Sequence, residues 1–159
     1  YLSKRDLETL RSVVLYVPSD GEPPQGALSS KMLRSYYKWE KSLRNELVRL
    51  RAGRLKSGTK FLRPGTPEWD AGRVAQAAFQ ADDPLAGELV IERERWAYID
   101  GLIINHYFDL ESLCAYSLRL QALERRARFR AEEGERGYST VYQSILETAD
   151  YRDESGENT

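Results

Sequence analysis

Apolar residues at intervals of three and four, between residues 85 and 127, constrain the fold of this chain most strongly. The second part of this segment carries such a stripe: Leu113, Tyr116, Leu120, Leu123 and Ala127. This spacing places the five side chains on one face of a helix, which we predict to be a core face. The first part of the segment carries a similar stripe: Leu85, Leu89, Trp96, Ile99 and Ile103. Glu92 interrupts the first stripe, so we expect that face to be only partly buried there.

Helix-start and helix-end signals bound both stripes. Asp83 and Pro84 are an N-cap and a first helical residue, and Asp109 is the N-cap of the second helix. Arginines concentrate in the last turns of the second helix, where the helix dipole favours cations: Arg125, Arg126, Arg128 and Arg130. Two helices with facing stripes and a connection of roughly five residues pack antiparallel. The pattern therefore predicts a helical hairpin.

The rest of the chain is also helical in pattern. Ser3 can cap a first helix, and residues 17–27 are a loop rich in proline and glycine. A long helix begins at Ser29 or Ser30, ends near Lys56, and carries a core stripe: Met32, Tyr36, Trp39, Leu43, Leu47 and Leu50. Thr66, Pro67 and Glu68 predict the start of a helix to about Gln80. A last helix is predicted from Tyr138 to Ala149.

These elements predict an all-α fold, an antiparallel helical bundle built on long helical hairpins. At 159 residues the chain has the length of one domain. We assign residues 1–150 to this domain and expect residues 151–159 to be a disordered acidic tail. Because the sequence opens at Tyr1 rather than Met, we expect it to lack its native N-terminal part.

The single cysteine and the hydropathy pattern bear on location. Cys114 is the only cysteine, so no internal disulfide can form, and we predict a buried, unreactive thiol. No apolar run approaches the roughly 20 residues of a membrane span. We expect a cytoplasmic protein that reaches the inner face of a membrane only through a partner.

Charge is divided unevenly along the chain. The net charge is −1, yet residues 31–63 contain eleven Lys or Arg and only two Glu. We predict a partner-binding surface on this basic segment: Arg44, Arg49, Arg51, Arg54, Lys56 and Arg63. Such cations can bind acidic protein surface or nucleic-acid phosphates. The absence of a nucleic-acid-binding motif and a pI near 6.0 favour a protein partner.

Residues that could carry chemistry are few. His106, the only histidine, belongs to the predicted hairpin turn with Tyr107, Phe108 and Asp109, and we expect it to close that turn. One histidine and one cysteine cannot supply the ligands of a zinc site, and no glycine-rich phosphate loop is present. Carboxylates of the hairpin alternate with arginines, which is typical of ion pairs. We predict a protein that is not an enzyme, with no cofactor and no metal.

Four stretches resemble one uncharacterised bacterial family, whose genes lie beside those of V-type (A-type-like) ATP synthases. The stretches are SKRDLETL (3–10), YYKWEKSLRNELVRLRAGRL (36–55), ERERWAYIDGL (92–102) and HYFDLESLCAYSLRLQALERRARF (106–129). The resemblance implies an accessory subunit, or one that couples the central stalk to the membrane ring, and it implies no catalytic residues. The alternative is a helical domain that binds nucleic acid through residues 31–63. A small enzyme using His106 is a third possibility.

Overall fold

The structure is a computed structural model, and it describes residues 2–17, 22–55, 62–129, 137 and 139–143. The regular secondary structure of these residues is helical, with no strand among them. The α-helices are α1 (Lys4–Arg11), α2 (Lys31–Leu55), α3 (Trp69–Phe79), α4 (Pro84–Leu102) and α5 (Leu110–Ala127), and a 3-10 helix spans Gln25–Ser29. The predicted all-α class is confirmed.

The chain divides into two compact units, Tyr1–Ala122 and Leu123–Thr159. In the second unit the described residues include the end of α5 and helical residues 139–143. There the Arg125 guanidinium lies 4.7 Å from the centre of the Phe129 ring. Most of the predicted last helix lies outside the described residues, as do Lys56 and the tail 151–159.

Two of the predicted helix starts are confirmed. The Ser3 hydroxyl accepts a hydrogen bond from the Asp6 amide at 3.1 Å, and the Asp6 carboxylate accepts one from the Ser3 amide at 3.2 Å. This reciprocal pair satisfies backbone donors that the first turn leaves open. Asp83 accepts from the Ala86 amide at 2.7 Å, with Pro84 as the first helical residue.

The predicted start of α3, with Thr66 as the cap and Pro67 as the first helical residue, is wrong by two residues. The helix begins at Trp69, and Glu68 occupies the N-cap position with an extended backbone (φ −93°, ψ 133°). The Glu68 amide donates to the Ser42 hydroxyl of α2 at 2.8 Å. This tertiary hydrogen bond holds the chain extended where the local sequence favours a helix.

Helix α2 is shared by two hydrophobic clusters. Near its start, Met32 and Tyr36 pack with residues of the N-terminal segment, α4 and α5. Further along, Trp39 and Leu43 pack with residues of α3 and α4. The Trp39 ring also stacks on Tyr98 with 4.7 Å between ring centres. The predicted core stripe of α2 is therefore confirmed.

Helix α5 buries a different face from the one predicted. Its buried side chains are Cys114, Ala115, Leu118 and Ala122. The predicted core residues of the helix are exposed: Leu113, Tyr116, Leu120, Leu123 and Ala127. Small side chains on the buried face let neighbouring backbone approach closely, and the prediction of a Leu-rich core face on α5 is wrong.

A glutamine fixes the orientation of α5. Gln121 accepts from the Leu15 amide at 2.8 Å and donates to the Val13 carbonyl at 3.0 Å. One side-chain amide thus satisfies the Leu15 N–H and the Val13 carbonyl, which belong to an extended segment with no strand partner among the described residues. Turning α5 to bury its Leu-rich face would break both bonds.

The prediction that Glu92 leaves its face of α4 partly exposed is also wrong. Glu92 is buried, and its carboxylate lies 2.6 Å from an Arg95 nitrogen. Towards the start of α4, in contrast, Leu85 and Leu89 are exposed. None of the helices in the described part of the chain is long and apolar enough to cross a membrane.

Candidate interaction surfaces

The cations predicted to bind a partner lie in different environments. The Arg44 Nε donates to Glu40 at 3.1 Å, and its guanidinium lies 4.8 Å from the centre of the Tyr16 ring. Arg49 forms an ion pair with Glu46 one turn away on the same helix. Arg44 is thus engaged within the fold, and Arg49 is neutralised locally.

Arg51 and Arg54 are the pair that the structure brings together. Both line an open cleft of about 310 Å³ between the end of α2, the α3–α4 turn and the start of α4. The same cleft is lined by Asp82, Asp83 and Glu88. These acids share the cleft with the two arginines, so the basic segment lies close to acidic residues of its own chain here.

Arg63 lies in the loop before α3 and is partly buried. Its backbone amide donates to the Asn45 side chain at 3.0 Å, and its carbonyl accepts from the same side chain at 2.8 Å. These two hydrogen bonds attach the loop to α2 at Arg63. Together with the placement of Arg44 and Arg49, this means that the described cations of the predicted partner-binding set do not form one continuous basic stripe.

The predicted hairpin turn contains a closed hydrogen-bond unit. His106 Nδ1 lies 2.6 Å from Asp109 Oδ2, and Asp109 Oδ1 accepts from the Ser112 amide at 2.9 Å. The hydrogen bond from His106, then the one from Ser112, lowers the pKa of Asp109. His106 therefore holds the carboxylate that caps α5.

Two apolar side chains of this turn point into solvent. Phe108 is fully exposed, and Tyr107 is 78% exposed. Phe108 has φ 55° and Asn105 has φ 70°, a left-handed conformation that is unfavourable for a bulky side chain. The Phe108 ring gains no packing in return. With the exposed Ile104, these two residues form what we call the aromatic turn (Ile104, Tyr107, Phe108).

The aromatic turn leads directly into a second exposed apolar set on α5. Tyr116 is 65% exposed, Leu120 44% and Leu113 37%. We call these three residues the outer face of α5. Their spacing of three and four keeps them within one side of the helix. The same spacing predicts a core face from the sequence, whereas the structure exposes these side chains.

A buried charge network joins α2 and α4. Arg95 reaches Glu40 at 3.2 Å and Glu92 at 2.6 Å, and its guanidinium lies 5.1 Å from the Tyr16 ring centre. Burial alone would lower the pKa of Arg95, but the carboxylates, Glu40 above all, raise it. Burial and then Glu40 also raise the pKa of Tyr36. Each charge is matched by a partner, which suits a structural role.

Within the described residues, no group of three or more His, Cys, Asp and Glu side chains is placed to hold a metal ion. Burial, then nearby carboxylates, raises the pKa of the Cys114 thiol to about 12. A thiol with that pKa is not a nucleophile at neutral pH. No family model matches the chain, and comparison with curated proteins and with solved structures finds no match.

Proposed function

We propose that this protein is a non-catalytic helical interaction module that docks on a partner protein. The aromatic turn and the outer face of α5 would form the docking surface. The family resemblance suggests V-type ATP synthase subunits as the partner, with an accessory or coupling role for this chain. In this proposal α4 and α5 are a long helical hairpin within an antiparallel bundle, presenting its tip and one side to the partner.

The exposure of apolar side chains at the α4–α5 turn and along α5 carries this proposal. Tyr116, Leu120 and Phe108 are large side chains that are 65%, 44% and fully exposed, respectively. Single exposed apolar residues are ordinary, whereas neighbouring ones along one helix and its adjoining turn are typical of interaction sites. Tyrosine and phenylalanine are also enriched in protein interfaces.

The left-handed conformation of Phe108 supports the same proposal. Such a backbone conformation costs about 1 kcal/mol or more for a residue with a bulky side chain. The Phe108 ring does not offset this cost by packing within the described fold, because it contacts solvent. Insertion of the ring into a partner would offset it.

The distribution of cations favours a protein over nucleic acid as the partner. Nucleic-acid binding needs several unpaired cations along one surface, whereas two of the six cations predicted to bind a partner, Arg44 and Arg49, are bonded to Glu40 and Glu46. Arg51 and Arg54 remain as candidates for a secondary contact with a partner. As part of the same proposal, we place the protein in the cytoplasm, at the inner face of the membrane when it is bound.

Affinity capture with the tagged full chain tests the proposal. The parent should recover ATP synthase subunits from extracts of the source organism, identified by mass spectrometry. Tyr116→Ser/Leu120→Ser should abolish recovery, because it removes apolar area from the docking surface. The matched control is Leu85→Ser/Leu89→Ser, which alters two similarly exposed residues of α4 and should not affect recovery.

A second variant separates the two candidate contacts. Arg49→Glu/Arg51→Glu/Arg54→Glu should weaken capture less than the α5 variant does, because Arg49 is already paired. Capture of nucleic acid in place of ATP synthase subunits would contradict the proposal. So would equal capture by the parent and the α5 variant.

A further inference from the structure

A cationic cleft lies on the first unit, between α2, the 3-10 helix and the loop that precedes α3. Its volume is about 330 Å³. Arg34, Lys38 and Lys41 of α2 line it, together with Leu28 and Pro23. The three cations are four and three residues apart, so they lie along one side of the helix. No Asp or Glu is among the described residues that line the cleft.

The positive charge of this cleft is only partly neutralised. Lys38 Nζ lies 2.6 Å from the Glu68 carboxylate at the edge of the cleft. Arg34 donates one N–H to the Leu28 carbonyl, which leaves its charge unmatched. Lys41 is partly buried and forms no ion pair with any described residue. The Lys41 ammonium therefore has no counter-ion among the described residues, and an anion in the cleft would supply one.

Of the four uncharged polar side chains that line the cleft, all but Thr66 are already bonded to the protein. The Ser42 hydroxyl accepts from the Glu68 amide, and the Asn45 side chain bonds the backbone of Arg63. The Tyr37 hydroxyl is bonded to backbone groups of the N-terminal segment. The cleft therefore offers a ligand mainly apolar wall and positive charge, with the Thr66 hydroxyl as one further polar group.

We propose that this cleft binds a small organic carboxylate with a flat apolar body. The carboxylate lies between Lys41 and Arg34, whose guanidinium can donate two parallel N–H groups to it. The apolar body lies against Leu28, Pro23 and the ring of Tyr37. The volume is at the lower end of the range for small-molecule sites, about 300–1,000 Å³, and fits a ligand of one or two rings.

Calorimetric titration of the full chain with 2-naphthoate tests this proposal, with 2-naphthalenemethanol as the uncharged probe of similar shape. The carboxylate should bind at least about tenfold more tightly than the alcohol, the factor expected of one charge-assisted hydrogen bond. Lys41→Gln should weaken binding of the carboxylate by about tenfold and leave that of the alcohol unchanged. The matched control, Lys31→Gln, removes a charge from the same helix outside the cleft and should have no effect.

Amide chemical shifts locate the bound probe. They should change along α2 between residues 34 and 45 and remain constant along α5. Arg34→Gln provides a second variant with the same expected loss, should Lys41→Gln alter the fold. The proposal is overturned if 2-naphthoate does not bind, if it binds no better than the alcohol, if both cleft variants bind like the parent, or if the shifts centre on α5.

Discussion

Removal of the buried cation Arg95 should destabilise this protein more than removal of any exposed ion pair. The side chains of Arg95, Glu40 and Glu92 are all more than nine-tenths buried. Arg95→Met keeps the length of the stem but leaves two buried carboxylates without their shared counter-charge. Breaking a buried pair in this way costs about 3–5 kcal/mol, a large part of the 5–15 kcal/mol that stabilises a typical domain.

Two comparisons show whether burial of charge is the cause. The variant Glu40→Gln/Glu92→Gln/Arg95→Met buries no charge at this position, so it should recover most of the loss. Arg44 loses its partner in this variant, but its side chain is 31% exposed and can be hydrated. Arg73→Met removes a cation from an exposed ion pair with Glu94 and should cost no more than about 1 kcal/mol.

Urea denaturation, followed by circular dichroism and tryptophan fluorescence, measures the free energy of unfolding of each variant. A loss below about 1 kcal/mol for Arg95→Met, or a triple variant no more stable than the single one, would refute this reasoning.

Three further predictions follow from packing and from shifted pKa values. Gly87→Ala should destabilise the protein by about 1–3 kcal/mol, because its new Cβ would lie 2.7 Å from a carbonyl oxygen of α3. Gly72→Ala, where nothing lies within 4 Å, should be neutral or stabilising by up to about 1 kcal/mol; equal effects of the two in chemical denaturation would contradict the close approach. Cys114, with a pKa raised to about 12, should react with a thiol reagent only at the rate of unfolding, and rapid modification of the native protein would show that it is not buried. Burial raises the pKa of Tyr36, so its contribution to stability is full below about pH 10 and is lost as the pH rises further. Stability of Tyr36→Phe should therefore fall less steeply above about pH 10 than that of the parent or of Tyr107→Phe, and equal slopes would contradict this.

Much of the helical architecture could be predicted from local sequence. The caps at Ser3, Asp83 and Asp109 depend on hydrogen bonds between residues three positions apart, so a short stretch contains all the information needed. The same is true of the turn closed by His106. The stripe of α2 was unambiguous because only one of its faces is apolar.

The candidate surfaces could not be predicted in the same way. Helix α5 has two apolar faces, one rich in leucine and tyrosine and one of smaller side chains around Leu118, and hydrophobicity alone favours the first. The hydrogen bonds of Gln121 to the backbone of Val13 and Leu15 favour burial of the second face instead. The cations predicted from charge to form one partner-binding surface lie in different environments. Arg44 packs inside the fold, and Arg51 shares a cleft with acids more than twenty residues away in sequence.

The sequence by itself determined which segments are helical and where several of them begin, because capping and periodicity act over a few residues. Tertiary structure decided which face of α5 is buried and why a glutamate can occupy an apolar stripe. Gln121 bonds a segment near the N-terminus, and Arg95 joins Glu92 to Glu40, which lies 55 residues before it. Such contacts depend on groups distant in sequence that meet only in the folded chain. A buried polar group without a hydrogen bond, or a buried charge without a counter-charge, costs enough free energy to override local hydrophobicity.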